Sequence, residues 1–141
     1  RSKLFPYTTL FRSALDADAL AEMHSLKTGA LIRASVAVGA IAGGAAPARI
    51  EALSQYSSRI GLAFQVADDI LNVEGDPGVM GKATGTDRDR KKSTYPALLG
   101  LEGSRRFSRR LVEEALSAIA GFDDRADPLR AIARYVVERK R

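Results

Sequence analysis

Asp68 and Asp69 stand side by side in an apolar run, FQVADDILNVEGD, residues 64–76. A buried carboxylate is costly unless it is paired or coordinates a metal. The pair therefore marks either the lip of a cleft or the wet side of a helix. Asn72 lies four residues past Asp68 and shares its helical face, while Asp69 sits about 100° around the helix at its flank. Asp76 follows one turn beyond Asn72, where Gly75-Asp76-Pro77-Gly78 forms a stop signal. Four oxygen-bearing side chains thus line the C-terminal end of one helix. The macrodipole is negative there, so something cationic should compensate. Hard divalent cations such as Mg²⁺ take oxygen ligands and bind through one or two carboxylates plus substrate phosphates. The loop that follows is rich in glycine and supplies Lys82, Arg88, Arg90, Lys91 and Lys92. Carboxylates facing lysines across such a loop suit a metal-bridged diphosphate. On local physics alone, a solvated helix end with salt bridges accounts for the same residues.

A second candidate is Lys27-Thr28-Gly29, set between Leu26 and Ala30-Leu31-Ile32. Glycine inside a helix costs about 1 kcal/mol relative to alanine. A cation, a hydroxyl and a local weakness together suggest a helix break that aims Lys27 and Thr28 at an anion. A snorkelling lysine beside a packing glycine is the plainer alternative. The single histidine, His24, reads as a helix-surface residue.

These residues need helices to place them. From Asp16 the chain reads as successive amphipathic helices, the first capped by Asp16 or Asp18 and ending at Gly43-Gly44. Pro47 opens the second, whose apolar face is Ile50, Leu53, Ile60, Phe64, Ala67 and Leu71, and which runs to about Val73. TYPALLGL is a short apolar helix, and Glu102 to Ala120 an amphipathic one with its arginines in water. Asp127-Pro128 reads as the N-cap and first residue of a last helix, ending near Lys140. The class is all-α, with no strand, repeat or linker.

Composition agrees. The chain has 141 residues, enough for one domain with a core. It has no cysteine, so neither disulfides nor thiolate chemistry are available. That suits a cytoplasmic location. The net charge of +5 fits an anionic ligand, or simply arginine on solvated faces. The most membrane-like stretch, residues 30–46, carries Arg33 and several glycines, so it reads as a core helix and no membrane span is expected. Arg105, Arg106, Arg109 and Arg110 interleave with an amphipathic pattern and lack stacking aromatics, which argues against nucleic-acid binding. Residues 1–13, RSKLFPYTTLFRS, hold three of the nine aromatics and have no helical period. They resemble translated sequencing-adaptor sequence and are read as non-native. The domain proper is residues 14–141.

KTGALIRA, then FQVADDILNVEGD, then GKATGTDRDRKKSTYPALLG occur in an order that resembles the C-terminal half of a trans-isoprenyl diphosphate synthase. The similarity is greatest to the bacterial farnesyl and geranylgeranyl diphosphate synthases of the polyprenyl synthetase family, and it extends from Leu15 to Arg141. It implies an all-α fold, the C-terminal half of the isoprenoid synthase helical bundle. It places the family's second aspartate-rich motif, DDxxD, on Asp68, Asp69 and Asn72, where it would hold Mg²⁺ against an allylic diphosphate. Asn72 departs from the pattern: it offers a carbonyl oxygen but no charge. The resemblance makes Lys27, Lys82 and Lys92 the diphosphate-binding lysines, and puts Thr28 and Gln65 along the allylic site. Asp87 becomes an outer-shell acid and Asp76 an acidic position near the helix end. The string DDRAD, Asp123 to Asp127, matches DDxxD better than DDILN does, yet it sits in a turn with no basic loop after it. It reads as capping.

The implied activity is Mg²⁺-dependent condensation of isopentenyl diphosphate with an allylic diphosphate, by ionisation to a carbocation, with full-length members acting as homodimers. The family's first aspartate-rich motif has no counterpart upstream of Asp68. Residues 14–141 therefore read as a truncated half, inactive alone, with an apolar face left for the other half to cover. A non-catalytic homologue that partners an active subunit and binds diphosphate is the alternative, and Asn72 leans that way. Terpene cyclases and squalene-type synthases share the carbocation chemistry, but the GK…K loop favours chain elongation.

Overall fold

The computed structural model describes residues 19–22, 28–75 and 94–139. Residues 19–22 are helical and bury Leu20 in the core. Four longer helices follow: α1 (Thr28–Ala42), α2 (Pro47–Glu74), α3 (Tyr95–Ala118) and α4 (Asp127–Glu138), with a 3₁₀ turn over Asp124–Ala126. No strand occurs among the described residues. The fold is all-α, as the sequence reading expects.

Helix α1 ends where Gly43-Gly44 demands. Gly44 adopts φ +66°, which glycine tolerates without a side-chain penalty. The Ala45 N–H reaches the Ala40 carbonyl at 2.9 Å and the Gly44 N–H reaches that of Ile41 at 3.0 Å. This is a Schellman ending that satisfies two orphan carbonyls. Pro47 then starts α2, where its missing N–H costs nothing.

Helix α2 is the axle of the fold, with α1 and α3 packed along it and α4 against both α2 and α3. Tyr56, Ile60, Ala63, Val66 and Ile70 are buried along its length. Full burial of a side chain the size of isoleucine contributes about 1.5–3 kcal/mol, so this stripe anchors the core. Helix α3 answers with Ser104, Ser108, Leu111, Val112 and Ala115 at helical spacing, all buried. The two serines keep the contact thin, and the Ser108 hydroxyl donates to the Ala63 carbonyl at 3.4 Å. The Tyr56 hydroxyl donates to the Leu129 carbonyl at 2.7 Å, tying α2 to α4.

Three details revise the sequence reading. Tyr95–Ala118 is continuous except at Gly100, whose φ of 70° and ψ of 165° break the helix; the two helices expected there abut at this kink. Asp127 is the first residue of α4 rather than its cap, with its carboxylate on Arg130 at 2.7 Å. Asp123 caps the preceding 3₁₀ turn, accepting from the Arg125 N–H at 3.2 Å. DDRAD is thus a capping segment, as expected.

Helix α1 differs most. Read as a core helix, it buries Gly29 and Ala40 but leaves Leu31, Val38 and Ile41 exposed at 71%, 66% and 66%. Those three positions lie at i, i+7 and i+10 and so form one apolar face. No helix among the described residues is long and apolar enough to cross a membrane.

Candidate functional site

The C-terminal half of α2 carries the site, and glycines set its distance from α1. A Cβ built on Gly61 would stand 3.0 Å from the Gly29 Cα. Gly29 is therefore a packing glycine at a helix crossing, which gives the plainer of the two sequence readings its physical basis. One turn beyond Gly61 lies Gln65, and one residue before Gly29 lies Thr28. The close crossing brings them together: the Thr28 hydroxyl donates to Gln65 Oε1 at 3.2 Å. Gln65 is 9% exposed and Thr28 half-buried.

One turn further along α2 come Asp68 and Asp69, both half-buried, and then Asn72, exposed. The two carboxylates have different partners. Asp69 Oδ2 accepts the Tyr95 backbone N–H at 3.0 Å. Tyr95 is the first residue of α3, so Asp69 satisfies an orphan donor at a positive helix end. Thr94 caps the same turn by accepting from the Ala97 N–H at 3.3 Å. Asp68 Oδ1 instead faces a guanidinium: Arg139 Nη2 lies 3.4 Å away. The Arg139 guanidinium is stacked over the Phe64 ring at 4.2 Å, and Phe64 is one turn before Asp68 on the same face.

The cation that the sequence demands at this helix end is thus supplied, among the described residues, by arginines from other helices. Arg139 serves Asp68. Arg105 bridges Glu74, the last residue of α2, to Glu102. Its hydrogen bond to Glu102 and the charge of Glu74 raise the guanidinium above its ordinary value. A small cleft of about 160 Å³ runs between these groups, lined by Ala67, Leu71, Glu74, Arg105, Val137 and Arg139. Sequence reasoning missed Arg139, which falls at the expected end of the last helix. It caps α4, and its role depends on a contact spanning 71 residues. The accessible hint was Phe64 placed one turn ahead of Asp68, a stacking platform awaiting a cation.

Thr28, Gln65, Asp68, Asp69 and Asn72 therefore share one neighbourhood. Lys27, Asp76, Lys82, Asp87 and Lys92 lie outside the described residues, as does His24.

Among the described residues, no three acidic or histidine side chains converge as a complete metal cage. The donor set is two carboxylates and an amide at a half-exposed helix end. One Asp69 oxygen accepts a backbone N–H, and among the described residues Asp68 meets Arg139 in a long ion pair. That set fits Mg²⁺, which uses one or two carboxylates and takes remaining ligands from phosphates and water.

The polyprenyl synthetase family model matches residues 7–133. Farnesyl diphosphate synthase of Escherichia coli (strain K12) is 44% identical over 128 residues, covering 88% of this chain and 43% of that protein. The apo structure of an FPP/GFPP synthase from Zymomonas mobilis superposes with a TM-score of 0.73 at 38% identity, covering 88% of this chain and 39% of that one. A geranyltransferase from Helicobacter pylori, solved with magnesium and isoprenyl diphosphate, gives a TM-score of 0.68 at 28% identity, covering 93% and 43%. The chain spans less than half the length of these relatives. Its helices match the all-α isoprenoid synthase fold.

Proposed function

We propose that this chain, which belongs to the polyprenyl synthetase family, forms the allylic-diphosphate side of a trans-prenyltransferase site. The observation that carries this reading is the clustering of Gln65, Asp68, Asp69 and Asn72 on one end of α2, with Thr28 hydrogen-bonded to Gln65. Bound Mg²⁺ would neutralise charge on the leaving diphosphate. Asp68 and Asp69 would hold that ion, and Asn72 would contribute a carbonyl oxygen. Lys27, Lys82 and Lys92 would take the remaining diphosphate charge, with Asp87 an outer-shell acid steadying the metal or a lysine and Asp76 an acidic position near the helix end. Gln65 and Thr28 orient the allylic group.

Preorganised cations aimed at developing negative charge lower the barrier to ionisation. The bond between the allylic carbon and diphosphate oxygen breaks, and the double bond of isopentenyl diphosphate attacks that carbon. A proton is lost to the departing diphosphate. No protein nucleophile is required, in keeping with the absence of cysteine.

With no counterpart to the first aspartate-rich motif, the chain alone binds without turning over. Purified chain incubated with Mg²⁺, isopentenyl diphosphate and geranyl diphosphate should yield no farnesyl diphosphate. Product formed at a rate that falls with Asp68→Ala would contradict the half-site reading. Asn72 favours a second reading, a diphosphate-binding subunit that partners an active synthase; recovery of a catalytic partner in a pull-down would support it.

A further inference from the structure

Arg139 is the cation on Asp68 among the described residues, and its attachment has three unusual properties together. The ion pair is a single long contact of 3.4 Å. The guanidinium stacks over Phe64 at 4.2 Å, which fixes its position independently of the carboxylate. Its Nε is buried and finds no acceptor among the described residues. A buried donor without a partner is costly, and each such group calls for an explanation. A guanidinium in its preferred arrangement with a carboxylate makes two parallel bonds at about 2.7–2.9 Å. Arg139 makes neither, although its side chain is only 13% exposed. It is held beside Asp68 by the ring as well as by one long contact to the carboxylate.

From this geometry we infer that Arg139 is a displaceable counterion, a positioning residue that occupies Asp68 before a metal does and that the metal must dislodge. This inference rests on the assignment of Asp68 as a Mg²⁺ ligand. The competition is electrostatic: a guanidinium beside Asp68 Oδ1 and a divalent cation on the same carboxylate repel each other at close range. The stack on Phe64 lets Arg139 yield the carboxylate without leaving its seat, because cation–π attraction does not need Asp68. The device neutralises Asp68 at the negative end of α2 while the site is empty, and it raises the metal concentration at which the site fills.

The test is Mn²⁺ affinity of the substrate-free chain, read by electron paramagnetic resonance. A half-exposed ion pair is worth up to about 1 kcal/mol, or roughly fivefold. Arg139→Gln should therefore bind Mn²⁺ about three- to fivefold tighter than wild type, with Arg139→Lys in between. In an Asp68→Asn background Arg139→Gln should change nothing. Phe64→Leu, which keeps both charges but removes the seat, should also tighten binding and guards against misfolding of the arginine variants. Mn²⁺ binding that depends on Asp68 but is unchanged or weakened by Arg139→Gln would overturn the counterion role while leaving the metal site standing. Mn²⁺ binding indifferent to Asp68→Asn would overturn both.

Discussion

The Asp69 carboxylate accepts the backbone N–H of Tyr95 at 3.0 Å, joining the end of α2 to the start of α3 across 26 residues. One of two adjacent aspartates thus braces the fold while its neighbour meets an arginine.

The two should separate in a stability measurement. Loss of a cap on a helix N-terminus costs about 0.5–2 kcal/mol. Asp69→Ala should destabilise the chain by about 1 kcal/mol in urea unfolding. Asp68→Ala removes a half-exposed ion pair but also a carboxylate at the negative end of α2, and the two effects offset, so it should cost less than about 0.5 kcal/mol. Equal losses would remove the distinction.

The crossing of α1 and α2 gives a second expectation. Gly61→Ala adds a Cβ 3.0 Å from the Gly29 Cα, against backbone that cannot swing aside. Overpacking costs about 1–3 kcal/mol, more than the gain of about 1 kcal/mol in helix propensity. The variant should unfold at lower urea and weaken the Thr28–Gln65 contact. A stabilised variant would show that the helices are not in contact there.

Tyr56 sets a pH dependence. Burial raises its hydroxyl from 10.0 to about 12. The folded state thus holds the proton more tightly than the unfolded one. The stabilisation is complete below pH 10 and is lost as pH rises through 12. Tyr56→Phe should lower stability by about 1 kcal/mol at neutral pH, from the lost bond to the Leu129 carbonyl. Across pH 10–12 it should lose less stability than wild type. Parallel losses across that window would place Tyr56 in water.

Leu31, Val38 and Ile41 form an exposed apolar face on α1. Such faces drive association. The chain should self-associate in sedimentation velocity, and Leu31→Glu with Val38→Glu should shift it toward monomer. A monomeric wild type would contradict this.

Much of this was legible in sequence because its signals are local. Gly43-Gly44 and Pro47 end and start helices by backbone restrictions that need no tertiary context. Asp68, Asp69 and Asn72 share an end by helical spacing alone. Thr28 and Gln65 were linked through a family resemblance, and the structure joins them by a hydrogen bond. What escaped depends on packing between distant segments. Gly29 looked equally like a helix break and a packing residue until Gly61 was seen against it. Arg139 could be assigned only once α4 was laid beside α2, and the exposed side of α1 only once its neighbours were in place.

The central claim is that the end of α2 binds an allylic diphosphate through a divalent cation. Isothermal titration of geranyl diphosphate into the purified chain, with and without Mg²⁺, tests it most directly. The account predicts binding that requires Mg²⁺ and is lost with Asp68→Ala and with Asp69→Asn, while both variants remain folded. Binding of equal strength in chelator, or undiminished by both substitutions, would contradict it.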